Sequence, residues 1–372
     1  MMIRAACIWA LLPVMATIAP AADDKGAVRF KLPSVGGWVI TADSETLIVS
    51  VPIKNQLVYF DTVNDKELKR VEVGFQPAGL ALQGKTLFAA AKGASLVYAL
   101  DAMSGSESKK VKLPGDPVLH LACNPETGPV YASTAKHRIV AIDPESGKAV
   151  RTKGRGLLLA ADPKGTALYA GMIEPYREPI KVTGGKDGSL AIEFDNTGRR
   201  ATVLKYVPAG KDLKLVDGNA NAASGAGGAM SVSPDGQRLV FVAADGWTSK
   251  DRKERSGPVL LGTDDLKTIR GAIACEAPRN ITFHPVLSLG VVVRDAEFCF
   301  FNARTLAVTR KIPVSPHGRA DQHNLLTFGG KGTKLIHLQG ENLSFIPMPL
   351  TEDERAALTE VYGRLPEPKN GT

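Results

Sequence analysis

The sequence predicts an all-β fold, a seven-bladed β-propeller, and three observations lead there. Turn signals recur at a step near forty residues, a strongly apolar strand follows each turn, and one N-terminal strand duplicates the pattern of a blade-closing strand.

The turns come first in each unit. They read Ala42-Asp43-Ser44, Gln83-Gly84-Lys85, Asn124-Pro125-Glu126, Asp162-Pro163-Lys164-Gly165, Ser233-Pro234-Asp235-Gly236, His284-Pro285 and Gly329-Gly330-Lys331-Gly332. Pro presets φ, Gly accepts positive φ, and Asn or Asp bonds its own backbone, so each is a turn with a mechanism. From Asp43 onward the steps are 40, 41, 38, 71, 51 and 45, and the fourth and fifth depart most from forty.

Second strands are expected at 47–51, 86–90, 130–133, 167–171, 239–243, 289–293 and 334–338. Most are apolar on both faces, as strands sandwiched between packed sheets are. Third strands follow at 57–61, 96–101, 139–143, 203–207, 259–262, 298–302 and 343–348. Fourth strands carrying Lys or Arg are expected at 69–73, 109–113, 149–153 and 308–314. The seventh unit supplies three strands over 325–348 and then a helical tail. Arg29-Phe30-Lys31-Leu32-Pro33 matches the second unit's Lys110-Val111-Lys112-Leu113-Pro114 in type, residue by residue. As the fourth strand of the last blade it closes the ring, which removes the free edges an open array would leave.

The ends are read separately. Arg4, the apolar run 5–18 and the small residues Ala19-Pro20-Ala21 have the layout of a signal peptide over 1–22. The run is short for a membrane span, which needs about 20 apolar residues. Export to the periplasm or medium is therefore expected, as a monomer. The propeller is expected over 28–349 and a tail over 350–372, where Thr351 and Glu354 form a capping box, Leu358, Val361 and Tyr362 share a face, and Gly363 and Pro366 end the helix.

Charge and composition bound the function classes. The net charge is +8, with basic residues scattered in short pairs, a pattern that favours solubility over a nucleic-acid footprint. The six His are dispersed, no paired His/Cys spacing suits a metal, and no Cys-x-x-Cys-His suits haem, so no metal or cofactor is expected. Past the leader, Cys123, Cys275 and Cys299 remain. Export would allow Cys275 to bridge Cys299; buried thiols acting as small apolar groups are the alternative. His284 and His337 read as structural.

One resemblance adds to this. Asn55-Gln56-Leu57-Val58-Tyr59-Phe60-Asp61-Thr62, Arg70-Val71-Glu72-Val73-Gly74 and Pro77-Ala78-Gly79-Leu80-Ala81 resemble the YVTN-type propeller repeat, as do 137–143 and 233–239. The resemblance covers 45–160 and 229–245. It implies a seven-bladed propeller of exported bacterial proteins, and its motifs carry no catalytic residues.

Function is expected where the repeat is broken. Residues 173–200 and 245–257 enlarge the second-to-third loops of blades four and five, so Tyr176, Arg177, Trp247, Lys250 and Arg252 form a candidate rim. Aromatic and Arg residues are enriched at binding hot spots, although loop length itself costs little. The Gly/Ala/Asn-rich run 217–228 reads as a connector. Gln76, Asp116, His120, Arg155, Glu276, Arg279, Asn280, Arg319, Asp321 and His323 are expected in fourth-to-first loops at the channel mouth. The expected function is a non-catalytic binding or scaffold protein for a protein, glycan or envelope component, with Arg279 and His323 completing the binding set. The alternative is a lactonase-like hydrolase or an oxidoreductase using Glu276, Arg279 and His323.

Overall fold

The structure, a computed structural model, describes residues 27–173, 179–184, 190–194, 200–224, 226–244, 259–267, 280–293, 297–313 and 324–366. The chain opens with β1 (Val28–Lys31). Blade one is β2 (Gly37–Ile40), β3 (Thr46–Val51), β4 (Gln56–Asp61) and β5 (Lys66–Glu72). Blade two is β6 (Pro77–Gln83), β7 (Thr86–Ala91), β8 (Leu96–Asp101) and β9 (Glu107–Lys112). Blade three is β10 (Val118–Cys123), β11 (Val130–Thr134), β12 (Arg138–Ile142) and β13 (Ala149–Arg155). Blade four takes β14 (Leu158–Ala161) and β15 (Leu168–Ile173), is interrupted by a hairpin of β16 (Pro179–Gly184) and β17 (Leu190–Phe194), and resumes with β18 (Arg200–Ala209) and β19 (Asp212–Ser224). Blade five has, among the described residues, β20 (Ala226–Val232), β21 (Arg238–Ala244) and β22 (Val259–Gly262). Blade six is β23 (Asn280–Phe283), β24 (Leu289–Val293), β25 (Glu297–Asn302) and β26 (Val308–Pro313). Blade seven is β27 (Asn324–Gly329), β28 (Lys334–Gln339) and β29 (Asn342–Pro347), and α1 (Glu352–Tyr362) follows.

Closure takes the form the sequence suggests. β1 pairs antiparallel with β29, Val28 opposite Phe345 and Lys31 opposite Asn342, so the first strand is the outermost strand of the last blade. Phe30 locks the joint: its ring lies 4.9 Å from Phe60 of blade one and 5.7 Å from Phe345 of blade seven.

The core is divided among the interfaces between blades. Among the described residues seven apolar clusters are present, one for each neighbouring pair. Strand alternation distributes the residues: Leu47, Val49, Val58 and Phe60 face blade seven, while Ile48, Leu57 and Tyr59 face blade two. This two-sided burial explains the apolar second and third strands.

The outer strands answer a different demand, because each is a sheet edge. In β5, β9, β19 and β26 one extra residue bulges at Leu68, Ser108, Val216 and Thr309, which twists the edge away from further pairing. The Ser108 hydroxyl donates to the Ala99 carbonyl (3.0 Å) and Thr309 to Phe300 (3.3 Å). Leu68 and Val216 leave their side chains 47% and 46% exposed instead. Lys69, Lys110 and Arg310 stand over the rings of Tyr59, Tyr98 and Phe300 in the neighbouring strands, which accounts for the basic fourth strands.

First-to-second and third-to-fourth turns share one face, and there the blades clasp each other. Gln83 donates to the Asn124 and Gly128 carbonyls, and Asn124 to those of Pro163 and Asp162. His284 Nε2 lies 2.9 Å from the Gly332 carbonyl, while its Nδ1 accepts the Val286 and Leu287 N–H groups. The ring thus does what Asn124 does for Glu126 and Thr127, and His284 is structural, as expected. Lys334 of blade seven reaches Asp65 of blade one at 2.5 Å, with both side chains buried.

Helix α1 lies against this face at blades six and seven, where a Cβ on Gly332 would sit 3.3 Å from Leu358. Thr351 and Glu354 form the expected capping box, Arg310 pairs with Glu354 at 3.1 Å, and Leu358 is fully buried. The shared apolar face is only partly used: Val361 is 57% exposed. Cys123 carries a free thiol whose pKa burial pushes up to about 12. Cys299 is buried in β25, and Cys275 lies outside the described residues.

Candidate functional site

The second-to-third turns and the fourth-to-first connections occupy the opposite face, here named the loop face. In blades one to three the turns are tight. Asn55 N–H bonds the Pro52 carbonyl at 3.1 Å, Ala94 bonds Ala91 at 3.1 Å, and His137 bonds Thr134 at 2.7 Å. Each turn contains a left-handed residue: Asn55 (φ 53°), Gly93 (φ 69°) and His137 (φ 57°), residue types that tolerate that conformation.

The inner strands lie close around the channel because small residues allow it. A Cβ on Gly37 would sit 3.0 Å from the Ala78 carbonyl and 3.2 Å from Gly79 Cα.

Blade four breaks the pattern on this face. β15 and β18 pair as far as Ile173 opposite Ala201, and the β16–β17 hairpin is inserted beyond that point. β18 and β19 continue past the blade, to Arg200 opposite Ser224. The sequence reads this region as an enlarged loop followed by a connector over 217–228. The backbone is instead strand to Ser224 and resumes as strand at Ala226.

The candidate residues fall into two groups. Tyr176, Arg177, Trp247, Lys250, Arg252, Arg279 and His323 lie outside the described residues, as do Glu276, Arg319 and Asp321. The other five are spread over different blades. Gln76 is exposed in the connection from blade one to two, its carbonyl accepting the Lys92 N–H. Asp116, from blade two to three, pairs with Lys136 at 2.9 Å. The Lys136 hydrogen bond and charge, with Arg138 and Arg151, hold Asp116 below the usual carboxylate range. It is therefore an anion at neutral pH, unsuited to act as a general acid.

His120 is not in a loop; it lies inside β10. The residue is half-buried, Nδ1 is buried with no hydrogen-bond partner among the described residues, and desolvation lowers its pKa to about 4. The Arg155 N–H donates to the Tyr206 hydroxyl (3.0 Å), which donates in turn to the Arg155 carbonyl (3.1 Å), tying blade three to blade four. Asn280 begins β23 and is buried, its amide oxygen accepting the Ile281 N–H. Local structure engages these five separately.

No protein-family model matches the chain, and no curated protein matches its sequence. Similarity is found among solved structures. Kuenenia stuttgartiensis hydrazine synthase superposes over 87% of this chain and 98% of that chain, with a TM-score of 0.59 at 15% identity. The chain is a seven-bladed β-propeller. Likeness at this identity shows the fold alone, and the YVTN-type repeat remains a resemblance in sequence.

Proposed function

We propose that this propeller is an exported, non-catalytic binding or scaffold protein that recognises a protein, glycan or envelope component through the loop face at blades four and five. The YVTN-type repeat, with its exported relatives, belongs to the same reading. The observation that carries it is the division of labour between the faces. The turn face carries the inter-blade clasps and, at blades six and seven, α1, while the loop face bears the inserted β16–β17 hairpin. Loops on a rigid scaffold are where binding groups usually lie. Export rests on Arg4, the apolar run 5–18 and Ala19-Pro20-Ala21. Among the described residues no helix is long and apolar enough to cross a membrane.

The test compares wild type with a variant in which 174–199 is replaced by a tight turn, and with Trp247→Ala. Envelope-extract proteins and an immobilised glycan panel are the probes. Selective loss of bound species in both variants is expected; identical binding by all three proteins would refute the reading. Turnover of lactones or sugar acids, abolished by Glu276→Gln, would put the channel-mouth enzyme in its place.

A further inference from the structure

We infer that the loop face of blades one to three is a second binding surface, independent of the blade-four and blade-five rim, and that it docks an acidic, partly apolar protein segment. In three consecutive blades the residue just before the left-handed turn position is a lysine: Lys54 before Asn55, Lys92 before Gly93 and Lys136 before His137. All three are exposed. Among the described residues Lys54 and Lys92 make no side-chain hydrogen bond or ion pair, and Lys136 pairs with Asp116 alone, its own side chain 70% exposed. The Lys136 end of the pair stands in solvent while the Asp116 side chain is 18% exposed, so the ammonium stays open to a partner's carboxylate.

The surroundings reinforce the sign. Turns and strand ends on this face of blades one to three add Lys112, Arg138 and Arg155, six cations in all, against the two acids Glu72 and Asp116. On the turn face of the same blades the balance reverses, with nine acids against three lysines. A field of one sign on one face steers an oppositely charged partner toward it.

Side-chain chemistry selects the class of partner. Ile53, next to Lys54, is 54% exposed, and Leu119, three residues past Asp116, is 48% exposed. Apolar groups beside cations suit a peptide that carries both carboxylates and apolar side chains. Nucleic-acid grooves use exposed aromatic platforms; the aromatic of these connections, Phe75, is stacked on Tyr98 at 3.7 Å. The turn cations are lysines, point charges without the planar fork that favours phosphate.

The test uses the purified full chain and a fluorescein-labelled peptide alternating glutamate and leucine, followed by anisotropy, with heparin and oligo(dT) as parallel probes. The triple variant K54E/K92E/K136E is compared with K66E/K85E/K148E, which makes the same charge change on the turn face. Peptide binding should weaken at least about tenfold in the first variant and less than about twofold in the second, and should fade with added salt as screening shortens. Asp116→Asn, which releases Lys136, should tighten binding. If the first triple variant fails to fold, K54Q/K92Q/K136Q repeats the comparison. Equal weakening by both triple variants, no peptide binding by wild type, or tighter binding of heparin or oligo(dT) through the same lysines would each overturn the inference. Deleting 174–199 should leave peptide binding intact, which separates this surface from the rim.

Discussion

If β1 seals the ring, a cavity cut beside it should cost as much as one cut inside any other blade interface. Leu32, just past β1, is fully buried in the cluster shared by blades seven and one, among Leu47, Phe60, Ile336 and Phe345. Its N–H also bonds the Glu341 carbonyl at 2.7 Å. Leu32→Ala removes this packing at an expected cost of about 2–5 kcal/mol. Unfolding entropy near Tm is about 2.1 cal/mol/K per residue, so a fold of this length has about 0.7 kcal/mol/K and Leu32→Ala should lower Tm by about 3–7 °C. Leu121→Ala, between blades two and three, gives the reference value, and Leu68→Ala, at a 47% exposed bulge, gives the baseline. Scanning calorimetry reads all three. A Leu32→Ala melt within about 1 °C of the Leu68→Ala melt, with Leu121→Ala clearly lower, would mean that the terminal strand is not a structural part of the ring.

Three further outcomes follow from particular residues. Burial holds the His284 imidazole at about 4, below its unfolded value of about 6.5. The unfolded chain therefore gains the proton first: stability is full above about pH 6.5 and falls as pH drops toward 4, by about 2 kcal/mol at pH 5. Urea midpoints at pH 7.5 and 5 should differ less in His284→Asn, and the same difference in both proteins would refute this. Leu68→Thr gives the bulge a hydroxyl within reach of the Tyr59 carbonyl, as Thr309 has for Phe300, and should raise stability by about 1 kcal/mol; an unchanged midpoint counts against it. Asp65→Ala removes the carboxylate from the buried Lys334 ammonium, which keeps its bond to the Val63 carbonyl, and should cost about 3–5 kcal/mol, most of it recovered by Asp65→Ala with Lys334→Met. A double variant no better than the single one would rule that out.

The scaffold is legible in the sequence because its signals are local. Turn residues at a forty-residue step, apolar strands and the likeness of Arg29-Phe30-Lys31-Leu32 to Lys110-Val111-Lys112-Leu113 each report a feature repeated seven times or mirrored once. The misreadings arise where backbone pairing needs no help from side chains. The Gly/Ala/Asn run after Asp217 has poor strand propensity, yet it pairs with β18 because a partner strand is already in place. The β16–β17 hairpin has strands of six and five residues, but it falls where the forty-residue step is broken, so no repeat signal marks it. His120 reads as a loop residue because β10 starts only two residues earlier, at Val118, and its register shifts between Val118 and His120. The lysines before Asn55, Gly93 and His137 are visible in the sequence, but their common face is not. Charge that looks scattered along the chain is sorted by the alternation of strand direction.

That sorting has a physical cause on one face only. At the third-to-fourth turns, Asp61 accepts the N–H groups of Val63 and Asn64, Asp101 those of Met103 and Ser104, and Asp143 those of Glu145 and Ser146. These bonds hold all three carboxyls below their usual range. An acid, or Asn302 in blade six, is needed there to satisfy backbone donors that the turn leaves open. Folding itself therefore makes the turn face acidic. On the loop face the second-to-third turns close by backbone bonds and constrain the left-handed residue, while the position before it can hold almost any side chain. Among the described residues Lys54 and Lys92 meet no acceptor and Lys136 meets Asp116 alone; none of the three fills a cluster, so the fold does not account for them. Substituting them should leave stability within about 0.5 kcal/mol of wild type, and their effect should appear in binding.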